Sequence, residues 1–192
     1  MPRTRIESRW QPGPRGREPH QPLPDVALSG AEKVKWDFLR TAWREDSRLP
    51  EVQMIAKGLL LGCFKNWHRF AKMALAYARD GVRYEGDTPR TGGEDIAGFT
   101  RPGTIADDLI RGSDDCDLKA RLFVALLRAV GLEAEMLPVV ELSAAGPVLA
   151  HVRGSVVING KSYTGEPSLA RARLGEVPAD VPREQSDGKW AR

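Results

Sequence analysis

Cys116 is the side chain of this chain best placed to do chemistry. It follows the short acidic run Gly112-Ser113-Asp114-Asp115 and opens an apolar stretch, Asp117 to Val130, with helical spacing. The first turn of a helix carries unpaired backbone N–H groups and the positive end of the macrodipole, which bias a thiol toward thiolate and nucleophilic attack near neutral pH. Asp114, Asp115 and Asp117 act in the other direction, because negative charge around sulfur raises the thiol pKa. The second cysteine, Cys63, lies within a helical pattern and reads as a small buried hydrophobe. His68 follows it by five residues, off the i, i+4 spacing of a shared helix face, and no third ligand is at hand. No metal site and no cofactor are therefore expected. The glycines between 85 and 112 lack phosphate-loop spacing after a strand, which argues against nucleotide binding.

Composition bounds what can surround that thiol. The chain has 192 residues, 41% of them apolar, enough for one ordinary core with an appendage. With 29 basic and 26 acidic side chains the net charge is only +3, too balanced for a dedicated nucleic-acid binder. Two cysteines cannot build a disulfide framework, so a reducing compartment is expected. No run approaches the roughly 20 apolar residues of a membrane span, and residues 1–25 lack the apolar centre of a signal peptide. The expectation is a soluble, cytoplasmic protein.

Three regions follow from the pattern. Residues 1–25 hold six of the fourteen prolines and five arginines with almost no aliphatic side chains, an extended arm unable to bury enough surface to order itself. Such an arm is either a solvated tail or a tether along a partner subunit or a phosphate backbone. Residues 26–178 form the folded domain, and 179–192 are a polar tail. Within the domain, Ser29 caps a helix with Val34, Phe38 and Ala42 on one face, ending near Pro50. A longer helix is expected from Glu51 to Arg79, stopped by Asp80-Gly81. Val82-Arg83-Tyr84 reads as a short extended piece, and 85–103, with five glycines and two prolines, as an irregular loop of the kind that borders binding sites. A helical turn over 105–110 precedes the helix opened by Cys116, which is stopped by Gly131 and reads as central and buried. Strands are expected over 132–140, 151–158 and 161–164, the last two joined by the hairpin signal Asn159-Gly160. Helices first and an antiparallel sheet after is an α+β order. Trp36, Trp43 and Trp67 read as core or interface anchors rather than a stacking platform for bases.

The run Gly112, Cys116, Asp117, then Leu-Lys-Ala-Arg-Leu-Phe-Val-Ala-Leu-Leu-Arg-Ala-Val-Gly, resembles the core of transglutaminase-like cysteine proteins, in which such a turn opens a helix ending in Leu-Leu-Arg-Ala-x-Gly. Downstream, His151-Val152 opening a strand, the Asn159-Gly160 hairpin, and Gly165-Glu166-Pro167-Ser168 in place of an Asp-Pro-Thr or Asp-Pro-Ser sequence extend the resemblance over 81–168. It implies a papain-like α+β fold with a triad of Cys116, His151 and Glu166: attacking thiolate, proton carrier, and orienting carboxylate. The backbone N–H of Cys116 would donate to the oxyanion; Asn66, Trp67 and Tyr84 are candidates for the second donor. The implied activity is acyl transfer through a thioester, hydrolysing or crosslinking peptide or amide bonds. Two departures matter. After the histidine the family prefers an aromatic residue and then a carboxylate-bearing strand, where this chain reads Val152-Arg153-Gly154-Ser155, and Glu166 adds a methylene that demands different spacing.

A second reading uses the same fold as an inert building block. The proline-rich basic arm and compact core resemble small proteins encoded with bacteriophage structural genes, which implies a virion head or tail component or similar large assembly, with residues 1–25 contacting partner subunits. Nucleic acid is not the expected partner in either reading.

Overall fold

The computed structural model describes residues 28, 30–64, 66–84, 105, 113–114, 116–143 and 146–176. The arm, the loop over 85–103, Ser29, most of the expected turn over 105–110 and the tail lie outside them. The described residues form an α+β arrangement: helices α1 (Gly30–Asp46), α2 (Pro50–Leu61) and α3 (Trp67–Asp80), short strands β1 (Arg83–Tyr84) and β2 (Ser113–Asp114), helix α4 (Cys116–Ala129), then strands β3 (Glu133–Ser143), β4 (Gly146–Ile158) and β5 (Lys161–Gly165). The last three make an antiparallel sheet in the order β3-β4-β5, while β1 and β2 pair in parallel.

Helix α4 is the core element. Leu118, Ala120 and every residue from Leu122 to Leu127 are buried, so apolar residues surround nearly its whole circumference. Its end is a Schellman turn: Gly131 takes φ +84°, its N–H donates to Arg128 O, and Leu132 N–H donates to Leu127 O. Arg128 Nη1 then donates to Ala134 O at 3.0 Å, tying the start of β3 to the helix end. The chain reverses there, so β3 runs back along α4, and β4, antiparallel to β3, runs in the same direction as α4.

Helix–sheet contact is set by two missing side chains. A Cβ built on Gly154 of β4 or Gly165 of β5 would lie within 2.5 Å of the Phe123 ring, and these two glycines are direct partners across the ladder. The ring of Phe123 therefore sits on bare backbone, fixing both the distance and the register of α4 on the sheet. Asn159 and Gly160 both take positive φ, 53° and 74°, as a type I′ hairpin requires.

Several expectations need correction. The helix expected over 51–79 is two: α2 stops at Leu61, Phe64 takes φ +51°, and Asn66 begins α3 as an N-cap whose side chain accepts from Arg69 N at 3.0 Å. Pro50 does not end the first helix but starts the second, where its lack of an N–H costs nothing. The buried stripe of α1 is Leu39, Ala42, Trp43 and Asp46, with Val34 63% exposed. The parallel β1–β2 pair was not expected, and β4 begins five residues before His151.

Candidate functional site

The sheet face turned away from α4 carries the polar residues. Alternation along β4 points Val152, Gly154 and Val156 at the helix and His151, Arg153 and Ser155 the other way, all buried. Just before His151 the ladder slips: Val139 pairs with His151 but Val140 with Leu149, so Ala150 is the extra residue of a bulge. Bulges re-aim neighbouring side chains and recur beside active sites.

Glu166, wholly buried, is the centre of this cluster. Pro167 confines the residue before it to extended backbone, so Glu166 continues the direction of β5. One step past Gly165 it is level with Arg153. His151 lies a further two residues along β4, about 7 Å away at strand spacing. The long glutamate arm closes that gap, placing Oε2 2.7 Å from His151 Nε2 and 3.1 Å from Arg153 Nε. Oε1 accepts from Ser168 N at 3.3 Å and from Ser168 Oγ. Burial favours a neutral carboxyl, but the His151 charge, the hydrogen bonds from His151 and Ser168, and the Arg153 charge outweigh it, and the pKa lies below the ordinary glutamate value.

An ionised carboxylate only accepts, so Nε2 of His151 carries a proton and donates to it. In the neutral ring Nδ1 is then a bare lone pair. It is buried and has no hydrogen-bond partner among the described residues. Leaving such an acceptor unsatisfied costs roughly 1–3 kcal/mol, and a catalytic role is one reason a fold keeps such a group.

Cys116 stands at the N-terminus of α4, partly exposed, its Sγ 3.5 Å from Asp117 Oδ1. Seven residues of helix separate it from Phe123, about 10.5 Å. Three residues of strand separate His151 from Gly154, about 10 Å. Because α4 and β4 run parallel and Phe123 sits on Gly154, Cys116 and His151 come to the same end of the helix–strand pair. The described geometry thus brings His151 and Glu166 into contact and leaves Cys116 at the same end of the helix–strand pair but on the α4 side of the sheet, whereas alternation turns the His151 ring to the opposite face, and the thiol makes no hydrogen bond to Nδ1.

The acid run before and after the thiol is partly compensated: Asp117 pairs with Lys35 of α1 at 2.7 Å. The side chains of Asp114 and Asp115 lie outside the described residues. Of the proposed second oxyanion donors, Asn66 is occupied in capping α3, and Trp67 packs edge-on against Phe70. Tyr84 is paired with Asp114, two residues before Cys116, so its backbone is near the site. Cys63 is buried, donating to Leu59 O at 3.0 Å and lying 3.2 Å from the Met73 sulfur, and burial raises its pKa. His68 packs edge-on against Tyr163.

Sequence reasoning missed the two supports of Glu166. Ser168, two residues beyond a carboxylate with proline between, is positioned for a local turn hydrogen bond. Arg153, two residues after a strand histidine, shares its face. Both signals were legible in principle.

No family model, no curated protein and no solved structure matches the chain.

Proposed function

We propose that the protein is a transglutaminase-like cysteine hydrolase or acyltransferase acting on peptide or amide bonds. The observation that carries this reading is the buried His151–Glu166 pair, whose ring keeps one basic nitrogen without a partner among the described residues, on the strand that runs alongside the helix opened by Cys116.

In the reaction, which requires the thiol and the imidazole to meet at the edge where β4 passes the start of α4, the thiol proton passes from Cys116 Sγ to His151 Nδ1 as the sulfur attacks the substrate carbonyl and forms the C–S bond. The first-turn N–H groups of α4 face the developing oxyanion. The C–N bond breaks, the leaving amine takes the proton from Nδ1, and a thioester remains. Water, or a second amine, then repeats the sequence with His151 as base and releases the thiol. Glu166 stays ionised throughout, fixing the ring and its tautomer.

The test is site-resolved alkylation of the native protein with iodoacetamide. Cys116 is expected to react at least tenfold faster than Cys63, and His151→Ala to lose most of that advantage. Equal rates for the two cysteines, or a Cys116 rate indifferent to His151→Ala, would sink the catalytic reading. A second reading, a structural subunit of a virion or comparable assembly, is favoured by Leu61 and Phe64, 82% and 86% exposed at the end of α2. Indifferent alkylation together with self-association lost in Leu61→Glu would support it.

A further inference from the structure

We infer that the corner between α2 and α3 docks on an anionic lipid surface, its exposed Leu61 and Phe64 entering the headgroup boundary while the basic side chains around them face the lipid charge. The site is separate from the thiol chemistry.

Charge is unevenly spread along the chain. From Val52 to Arg79 there are five basic side chains, Lys57, Lys65, Arg69, Lys72 and Arg79, and no acidic one, although the whole chain carries 29 basic and 26 acidic. This helical hairpin therefore holds more positive charge than the net +3 of the molecule. Arg79 pairs with Asp80, but Lys57, Arg69 and Lys72 are exposed. Burial raises the Cys63 pKa and the Arg69 charge opposes the shift, so Arg69 stands close to the corner.

Apolar surface gathers at the same place. Of the four large apolar side chains exposed among the described residues, Met54, Leu61 and Phe64 lie here, the last two 82% and 86% exposed. Met54, Gly58 and Leu61 follow one another at i, i+4 and i+7 on one face of α2, and a Cβ on Gly58 would meet nothing within 4 Å. The corner is tied from beneath. Cys63 is buried, its N–H donates to Leu60 O and its carbonyl accepts from Asn66 N–H, each at 3.0 Å. Phe64 sits between these two bonds at φ +51°, a bulky residue held in backbone that favours glycine, with its ring in solvent.

Two apolar side chains standing out from a rigid tip, with cations around them, make a wedge rather than a groove. A protein partner needs a shaped pocket to bury such anchors, whereas a lipid surface accepts a wedge of any shape and adds the attraction of its anionic headgroups. Leucine and methionine offer no stacking face, which sets a nucleic-acid strand aside.

The experiment is co-sedimentation of the full-length protein with vesicles of phosphatidylcholine alone and of phosphatidylcholine mixed with phosphatidylserine. The wild type is expected to bind the mixed vesicles more tightly, the excess falling as salt rises. Leu61→Ser and Phe64→Gly should each weaken that binding about tenfold. Glycine also relieves the left-handed backbone, so the loss in that variant does not come from misfolding. Replacing Lys57, Arg69 and Lys72 together by glutamine should remove most of the preference for the anionic vesicles. No binding to the mixed vesicles would overturn the inference and leave the corner to a protein partner. Binding indifferent to the apolar substitutions would overturn it as well, by assigning the attraction to another basic segment such as residues 1–25. So would self-association in lipid-free solution that Leu61→Glu abolishes, since a second copy would then cover the patch. Alkylation of Cys116 plays no part in these readouts, and the hydrolase reading stands or falls without them.

Discussion

One methylene decides how the carboxylate works. Glu166 is level with Arg153, not with His151, so its reach along the strand depends on the second methylene of its side chain. Glu166→Asp is expected to keep the Arg153 contact, lose the His151 contact, and slow Cys116 alkylation to near the His151→Ala rate while the fold persists. Glu166→Gln acts differently, since it leaves the Arg153 guanidinium buried beside a neutral amide. Removing one partner of a buried pair costs about 3 kcal/mol, which denaturant unfolding would read directly. The acid limb of stability follows from the same residue. The folded pKa of Glu166 lies below its unfolded value, so in the acid range the folded state binds fewer protons than the unfolded one. Its contribution is present at neutral pH and is lost as pH falls through the folded pKa. Comparing the acid slope of wild type with Glu166→Gln measures that share, and an identical slope would contradict it.

Among the elements, the α4–sheet contact is where a single atom has the largest effect. Gly165→Ala would press a methyl against the Phe123 ring, backed by the ladder partner Gly154, and overpacking of this kind costs roughly 1–3 kcal/mol. Phe123→Leu should be destabilising alone yet recover part of the loss in the double variant, a coupling that a mutant cycle on unfolding midpoints would show. The α2–α3 break is tested by Asn66→Ala, which removes the cap on Arg69 N and should cost about 1 kcal/mol. These two sites also explain what the sequence did and did not reveal. Helix α4 and the Asn159-Gly160 hairpin were legible because an apolar period, a terminal glycine and a turn dipeptide are local signals. The α2–α3 break was not, because Gly62 inside an apolar pattern is tolerated in a helix and nothing local announces Phe64 in left-handed backbone. Motif order pairs His151 with Glu166, which the structure places in contact; Arg153, on the strand face of His151, and Ser168, in a local turn, carry signals that motif order does not use. The β1–β2 pair joins residues about thirty apart, beyond any window of periodicity.

At the scale of the whole molecule, Lys119 joins what chain order separates. One turn after Cys116 on α4, nearly inaccessible, its ammonium donates to Arg79 O at 2.6 Å and to Val82 O, the carbonyls where α3 passes into β1. Because β1 pairs with β2, and β2 leads directly into Cys116, this one side chain closes a circuit from the helical layer through the parallel pair back to the thiol. Burial depresses the Lys119 pKa to about 8, with Asp80 opposing the shift and Arg79 adding to it. Between that value and the ordinary 10.5 the unfolded chain holds a proton that the folded chain has released, so stability should rise with pH across this window. Below about 8 both states are protonated and the cost of the buried charge is felt in full. Urea unfolding of wild type and Lys119→Met at steps through this window isolates the effect, because the other alkaline groups are common to both. The difference in stability should shift steadily in favour of the wild type as pH rises and level off above 10.5. A constant difference would mean that the fold does not discriminate between the ammonium and the neutral amine. In that event the circuit would rest on hydrogen bonds that a neutral amine makes equally well, and the geometry leading into Cys116 would be insensitive to pH.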